Sequence, residues 1–360
     1  MEKLDFIPND LVSLKDYERY AKQIMDLNSL AYINSGAADE VTFRKNEEAF
    51  QEIYLETNSL EELKNLDIKI ELFKEIYDNP IFLAPVAYQK LVDINGEIST
   101  VQASNVMNCC MCVSSFSSCS LEEISKNATS PLWFQLYIQP DMNINLELIK
   151  KAEKLGFKAL VITIDAPING IRNVEQRYGF SLPKEISAVN IKNPFQLLND
   201  YENISDIAKK FPTWKEIEFI KNNSSLPVVL KGINSVSYAK KSLELGIDGI
   251  IVSNHGGRTL DSLAPSIKVL PKIAKEINKK IPIIFDGGIK RGTDIIKAIA
   301  LGADAVMIGR PIMYGLATAG ALGVAHTLKI LKEELQISMI FTGCENIEKI
   351  KEIKLSNLQY

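Results

Sequence analysis

Leu245-Gly-Ile-Asp-Gly-Ile-Ile-Val252 reads as a helix stop followed by a short, unbroken apolar run. The pattern recurs at Leu155-Gly-Phe-Lys-Ala-Leu-Val-Ile162 and at Leu301-Gly-Ala-Asp-Ala-Val-Met-Ile308. Each copy follows a helical stretch, and its glycine stands where a helix C-terminus favours left-handed backbone. The apolar run that follows lacks period-two alternation, as a parallel strand covered on both faces should. Further apolar runs at 81–85, 109–114, 132–137, 227–231 and 282–286 bring the candidate strands to eight, mostly separated by helical patterns. Eight parallel strands with covering helices predict an α/β protein of the (β/α)8 TIM barrel class. The alternative, an open doubly wound sheet, should carry G-x-G-x-x-G at its first strand-to-helix turn, and no such turn occurs.

Outward from the barrel, residues 1–78 read as an N-terminal helical extension and 79–360 as the barrel, together one domain over 1–360. The polar, Asn-rich stretch of about 173–212 follows the fourth strand and is a candidate active-site lid. A hydrophobic content of 46% suits a large core, and a net charge of −4 argues against nucleic acid or an anionic membrane as a partner. The longest uncharged stretch, Pro311 to Ala325, is too short to span a bilayer and reads as a buried helix. The first residues carry acids where an export signal would be basic, so a cytoplasmic location is expected. Four of the five cysteines cluster at Cys109, Cys110, Cys112 and Cys119, without paired C-x2-C spacing or a nearby histidine. They are expected to be small core residues, with no metal.

Ser253-Asn-His-Gly-Gly-Arg-Thr-Leu-Asp261 continues directly from the first quoted strand and holds His255, one of two histidines in the chain. In such a barrel the chemistry sits at the C-terminal ends of the strands. Those ends supply Ser114, Gln135, Tyr137, Thr163, Asp165, Arg172, Lys231, Ser253, His255 and Arg258 in order. Two glycine-rich basic loops close the series, Asp286-Gly-Gly-Ile-Lys-Arg-Gly292 and Ile308-Gly-Arg-Pro311. They stand where many barrels hold a phosphate, and they predict a phosphate-bearing cofactor. Ser114, Gln135 and Thr163 would then face a flat heterocycle, with Lys231 countering negative charge on it. Arg172 and Arg258 suit a carboxylate, and His255 titrates near neutrality. Asp165 could orient that imidazole, and Tyr32 and Tyr137 could add hydroxyl donors. Taken singly, a glycine loop, two ordinary turns and a few packing tyrosines would explain each feature; their convergence makes a site.

These motifs, S-N-H-G-G-R-x-L-D, D-G-G-x-x-R-G-x-D and I-G-R-P, resemble those of the FMN-dependent α-hydroxy-acid oxidizing family, the lactate oxidase and glycolate oxidase group. The resemblance runs from the Tyr32 region to Phe341-Thr-Gly-Cys344. It implies oxidation of a small L-2-hydroxy acid, L-lactate or glycolate, to the 2-oxo acid. Hydride would pass to FMN, with reoxidation by O2 giving hydrogen peroxide; a carbanion route is the older alternative. His255 is implied as the base and Asp165 as its partner. Tyr32, Tyr137, Arg172 and Arg258 are implied as substrate ligands, with Phe116 beside the substrate side chain. Lys231 would lie at the flavin N1–C2=O edge. Ala87, Ser114, Gln135, Thr163 and Ser253 would touch the ring or ribityl chain, and Asp286 the ribityl. Gly288, Lys290, Gly309 and Arg310 would hold the phosphate. A homotetramer is implied as well.

Three positions depart from the family pattern. Lys290 replaces the usual arginine, keeping the charge but losing the bidentate fork. Phe116 replaces the tryptophan of glycolate oxidases, which leaves lactate as well placed as glycolate. Ile33 replaces a second tyrosine. A soluble dehydrogenase with another electron acceptor is the rival within the family. A non-redox FMN barrel, such as an isopentenyl diphosphate isomerase, gives no reason for the trio of His255, Arg172 and Arg258.

Overall fold

Each of the eight apolar runs falls on one strand of a closed barrel in the computed structural model, which describes residues 3–191, 208 and 211–356. The strands are Ile81–Leu83, Met111–Ser114, Leu132–Leu136, Leu160–Thr163, Val228–Ile233, Gly249–Val252, Ile283–Asp286 and Ala305–Ile308. Each pairs in parallel with its neighbours in sequence, and the eighth closes onto the first. Every residue of these strands is buried, which is why their sequence carries no alternation. Helices cover the outside, many with side-chain N-caps such as Ser120, Asp141, Thr213 and Ser235.

The fifth strand departs from expectation at its end, running past Lys231 to Ile233 with a register shift between those two residues. Gly232 sits at the shift with φ +103°, and a Cβ there would lie 2.4 Å from the Asp165 side chain. Glycine at this position therefore lets the strand pass under Asp165. The expected buried helix at 311–325 falls within a longer one, Arg310–Thr342, broken by non-helical backbone at Ala319 and Gly320.

Before the barrel, helices occupy Leu14–Ile24, Leu27–Asn34 and Val41–Gln51. Beyond Gln51 short strands replace the expected helix: Tyr54–Leu55 pairs with Leu355–Ser356, and Ile70–Leu72 forms a hairpin with Glu75–Tyr77. Leu72 and Tyr77 of this hairpin join the apolar interior formed by Phe82, Trp133, Val161, Ile251 and Met307. The candidate lid begins with a helix at Asn173–Tyr178; its residues 192–207, 209 and 210 lie outside the described residues. No described helix is long and apolar enough to cross a membrane. All five cysteines are free and buried, with Cys110 and Cys112 in the barrel interior.

Candidate active site

At the C-terminal ends of the strands the apolar interior gives way to a buried polar layer. Register places Ser114 beside Gln135 and Thr163 beside Lys231. Ser114 Oγ donates to Gln135 Oε1 at 3.1 Å, and Gln135 Nε2 donates to Thr163 Oγ1 at 3.0 Å. Across the barrel Lys231 Nζ donates to Ser253 Oγ at 3.2 Å and pairs with Asp286 at 3.2 Å, while Ser253 Oγ donates to Asp286 at 2.6 Å. Burial alone would lower the Lys231 pKa, but Asp286 and Asp165 outweigh it and leave it raised. A buried ammonium is thus kept charged by its partners.

Above this layer opens a cavity of about 840 Å³, within the range of cofactor and ligand sites. Its wall includes Tyr32, Ala87, Phe116, Tyr137, Arg172, Lys231, His255, Arg258, Asp286, Gly288, Lys290, Gly309 and Arg310. The remaining predicted residues are not part of that wall: Ser253 and Asp165 bond to its Asp286 and His255, while Ser114, Gln135 and Thr163 bond to one another.

His255 opens a short 3₁₀ turn, His255–Gly257, and itself adopts φ +58°, unusual for a residue with a side chain. Its Nδ1 meets Asp165 Oδ1 at 2.9 Å and its Nε2 meets the Tyr137 hydroxyl at 3.4 Å. Burial, joined by the charges of Lys231 and Arg258, depresses the His255 pKa more than Asp165 raises it, which favours the neutral imidazole. Burial pushes the Asp165 carboxyl up, but His255 and Lys231 hold it below its ordinary value. The result is an imidazole whose Nδ1 faces a carboxylate and whose Nε2 is turned to the Tyr137 hydroxyl in the cavity wall.

The two arginines meet at Glu175, which sequence reasoning missed. Its Oε1 accepts from Arg172 Nη1 at 2.9 Å, Arg258 Nη2 at 3.4 Å and Ser35 Oγ at 2.7 Å. A signal was present, since Glu175 lies three residues after Arg172 at helical spacing. Arg258 also donates to the Tyr32 and Ser35 carbonyls at 2.8 and 2.7 Å, and its guanidinium lies over the Tyr32 ring at 5.2 Å. Burial and the like charges of Arg172 and Arg310 lower the Arg258 pKa, yet a guanidinium stays cationic in proteins. Phe180, Tyr32, Tyr88, Phe116 and Tyr137 follow one another at centroid separations of 4.9, 6.3, 6.2 and 5.0 Å, forming an aromatic arc along this part of the cavity.

At the loops after strands seven and eight the donors are fewer than expected. The backbone N–H groups of Lys290 and Arg291 both donate to Asp294 Oδ2 at 3.0 Å. Arg310 donates to the Ile33, Gly256 and Ser35 carbonyls at 3.1, 2.9 and 3.0 Å and lies 4.3 Å over the Phe43 ring. One hydrogen on each of its terminal nitrogens is left over, together with its charge. Lys290 Nζ pairs with Glu18 at 2.8 Å. The donor set still suits a flavin mononucleotide: a buried ammonium for an electron-rich ring edge, and two cationic side chains beside glycine loops for a phosphate.

Residues 21–357 match the family model described as FMN-dependent dehydrogenase. The chain is 40% identical over 348 residues to a 2-hydroxyacid oxidase of Dictyostelium discoideum, covering 95% of this chain and 89% of that protein. It is 37% identical to an L-lactate oxidase of a Nostoc species, covering 94% and 96%. A crystal structure of mandelate oxidase with (S)-2-phenylpropionate superposes with a TM-score of 0.89 at 34% identity, covering 96% of this chain and 98% of that one. With the barrel and the polar strand ends in place, the chain belongs to the FMN-dependent dehydrogenase family.

Proposed function

We infer that this protein oxidises a small L-2-hydroxy acid, L-lactate or glycolate, to the 2-oxo acid and returns the electrons to dioxygen as hydrogen peroxide. The observation that carries this reading is His255, held by the Asp165 carboxylate, in one cavity wall with the guanidinium groups of Arg172 and Arg258. Two cations anchor the substrate carboxylate, which fixes the neighbouring C2 hydroxyl. His255 Nε2 takes the hydroxyl proton, and Asp165 stabilises the imidazolium that forms. Tyr137, within 3.4 Å of His255 Nε2, holds the same oxygen in line. FMN, when bound, would supply a two-electron acceptor for the C2 hydride that dioxygen can reoxidise. Lys231 offsets negative charge at the ring edge, and the loops bearing Gly288, Lys290, Gly309 and Arg310 take the phosphate. The aromatic arc from Phe180 to Tyr137 bounds the substrate side chain and favours methyl or hydrogen over a charged group. The names of the relatives support this substrate class, 2-hydroxyacid oxidase and L-lactate oxidase among them. A homotetramer, on the family resemblance, and a cytoplasmic location complete the reading.

Anaerobic stopped-flow mixing of the yellow holoenzyme with L-lactate or glycolate, followed by oxygen, tests it. Bleaching of the flavin absorbance and rapid recovery with peroxide is the expected result. Bleaching with slow recovery would replace the oxidase with a dehydrogenase using another acceptor. No bleaching by either acid would overturn the substrate assignment.

A further inference from the structure

The loop after strand seven contributes one ammonium to the cavity, Lys290, and that ammonium is already engaged by a carboxylate. Glu18, from the first helix and 272 residues distant in sequence, meets Lys290 Nζ at 2.8 Å. Both side chains are largely buried, at 14% and 25% exposure, so solvent screens the pair only in part. The other Glu18 oxygen accepts from Lys22 at 2.8 Å, and the Tyr314 ring lies 5.5 Å from Lys290 Nζ. Glu18 also lines the same cavity as Gly288, Lys290 and Arg310. Burial pushes the Glu18 carboxyl up, but Lys290 and Lys22 outweigh it and bring it down to about 2, so it stays anionic through the physiological range.

We propose that Glu18 is a built-in competitor for the flavin phosphate at Lys290, holding the cradle together without cofactor and weakening FMN binding when the phosphate arrives. This rests on the FMN reading of the cavity. A phosphate reaching Lys290 meets a fixed negative charge across the same ammonium, and the two anions repel through it. An arginine at 290 could serve both through separate edges of its fork, whereas the lysine is a single point charge. Arg310 keeps two N–H groups for the phosphate beyond its three backbone carbonyls, but it forms no ion pair with Glu18, so the carboxylate stays on Lys290.

Apo-protein titrated with FMN, and separately with riboflavin, while flavin fluorescence is followed, tests this directly. Glu18→Gln should lower the FMN Kd about tenfold, leave the riboflavin Kd unchanged, and lower the Tm of the apo-protein. Lys290→Arg, which keeps the ion pair, should also tighten FMN but leave the apo Tm near wild type. An FMN Kd that is unchanged or raised in Glu18→Gln overturns the proposal, and so does a riboflavin Kd that shifts alongside it. Should Glu18→Gln not fold, an unchanged or weakened FMN Kd in Lys290→Arg overturns it instead. If wild-type apo-protein binds neither flavin, the FMN reading itself fails, a result distinct from either arm.

Discussion

His255 is held between two opposing influences, and their balance sets the pH at which it can work. Burial, with the charges of Lys231 and Arg258, favours the neutral ring and Asp165 the charged one, and the neutral side prevails. With His255 as the proposed base, which must be unprotonated to act, kcat/KM should fall as pH drops through the His255 pKa. That acid limb should lie below the ordinary histidine value of about 6.5. In Asp165→Asn the upward pull of the carboxylate is gone, so the limb should move to lower pH still. The imidazolium formed during turnover would also lose its partner, and kcat/KM should fall by about 10²–10⁴-fold. A pH–rate profile of the variant against wild type reads both effects. A limb that stayed in place would remove Asp165 from this role, even with turnover reduced. At this scale the sequence was informative where residues touch a motif. His255, Arg258 and Asp165 stand out from the strand-end pattern, whereas Glu175, which joins the two arginines, looks like any acid on a polar helix.

The element that fixes the histidine turn is the third helix, Val41–Gln51. Its N-terminus has no cap of its own; instead Asp261, the last residue of the S-N-H-G-G-R-T-L-D run, accepts from Val41 N at 3.2 Å and Thr42 N at 2.8 Å. One turn later Asn46 and Asn254 exchange side-chain amide bonds at 2.8 Å in each direction, both fully buried. A Cβ on Gly257 would lie 2.6 Å from Phe43 backbone, and one on Gly288 would lie 2.2 Å from the Asn46 carbonyl. The helix therefore packs backbone to backbone against both glycine loops, which explains glycine there better than loop flexibility does. Removing the Asn46 amide leaves a buried partner under-satisfied, so Asn46→Ala should destabilise the fold by about 1–3 kcal/mol. It should also lower kcat, because Asn254 adjoins His255. Urea unfolding and turnover measured on one preparation would show both; a stability loss with unchanged kcat would confine the helix to a packing role. None of this is legible from V-T-F-R-K-N-E-E-A-F-Q, because the pairing spans 208 residues and leaves no periodic trace.

Over the whole molecule the barrel separates its tasks by end. The strands were legible because parallel strands buried on both faces must be short apolar runs, and the repeats mark where each begins. The closure of the lower end was not legible, since Ile70–Leu72 and Glu75–Tyr77, three residues each, are too short to read as a hairpin. Yet that hairpin places Tyr77 against the interior, where its hydroxyl accepts from Trp133 Nε1 at 2.9 Å. Trp133 is the largest fully buried side chain, wedged between Phe82 and Tyr77 at centroid separations of 5.1 and 6.2 Å. It shares its strand with Gln135, two residues nearer the site, so one strand serves both ends. Tyr77→Phe keeps the ring but strands a buried indole N–H, a cost of about 1–3 kcal/mol. If the lower end governs stability and the upper end chemistry, as barrels of this class divide them, the denaturation midpoint should fall. FMN affinity and kcat should meanwhile match wild type. A loss of turnover in the folded variant would mean instead that a shift of Trp133 travels along the strand to Gln135, and that the two ends of this barrel are mechanically one.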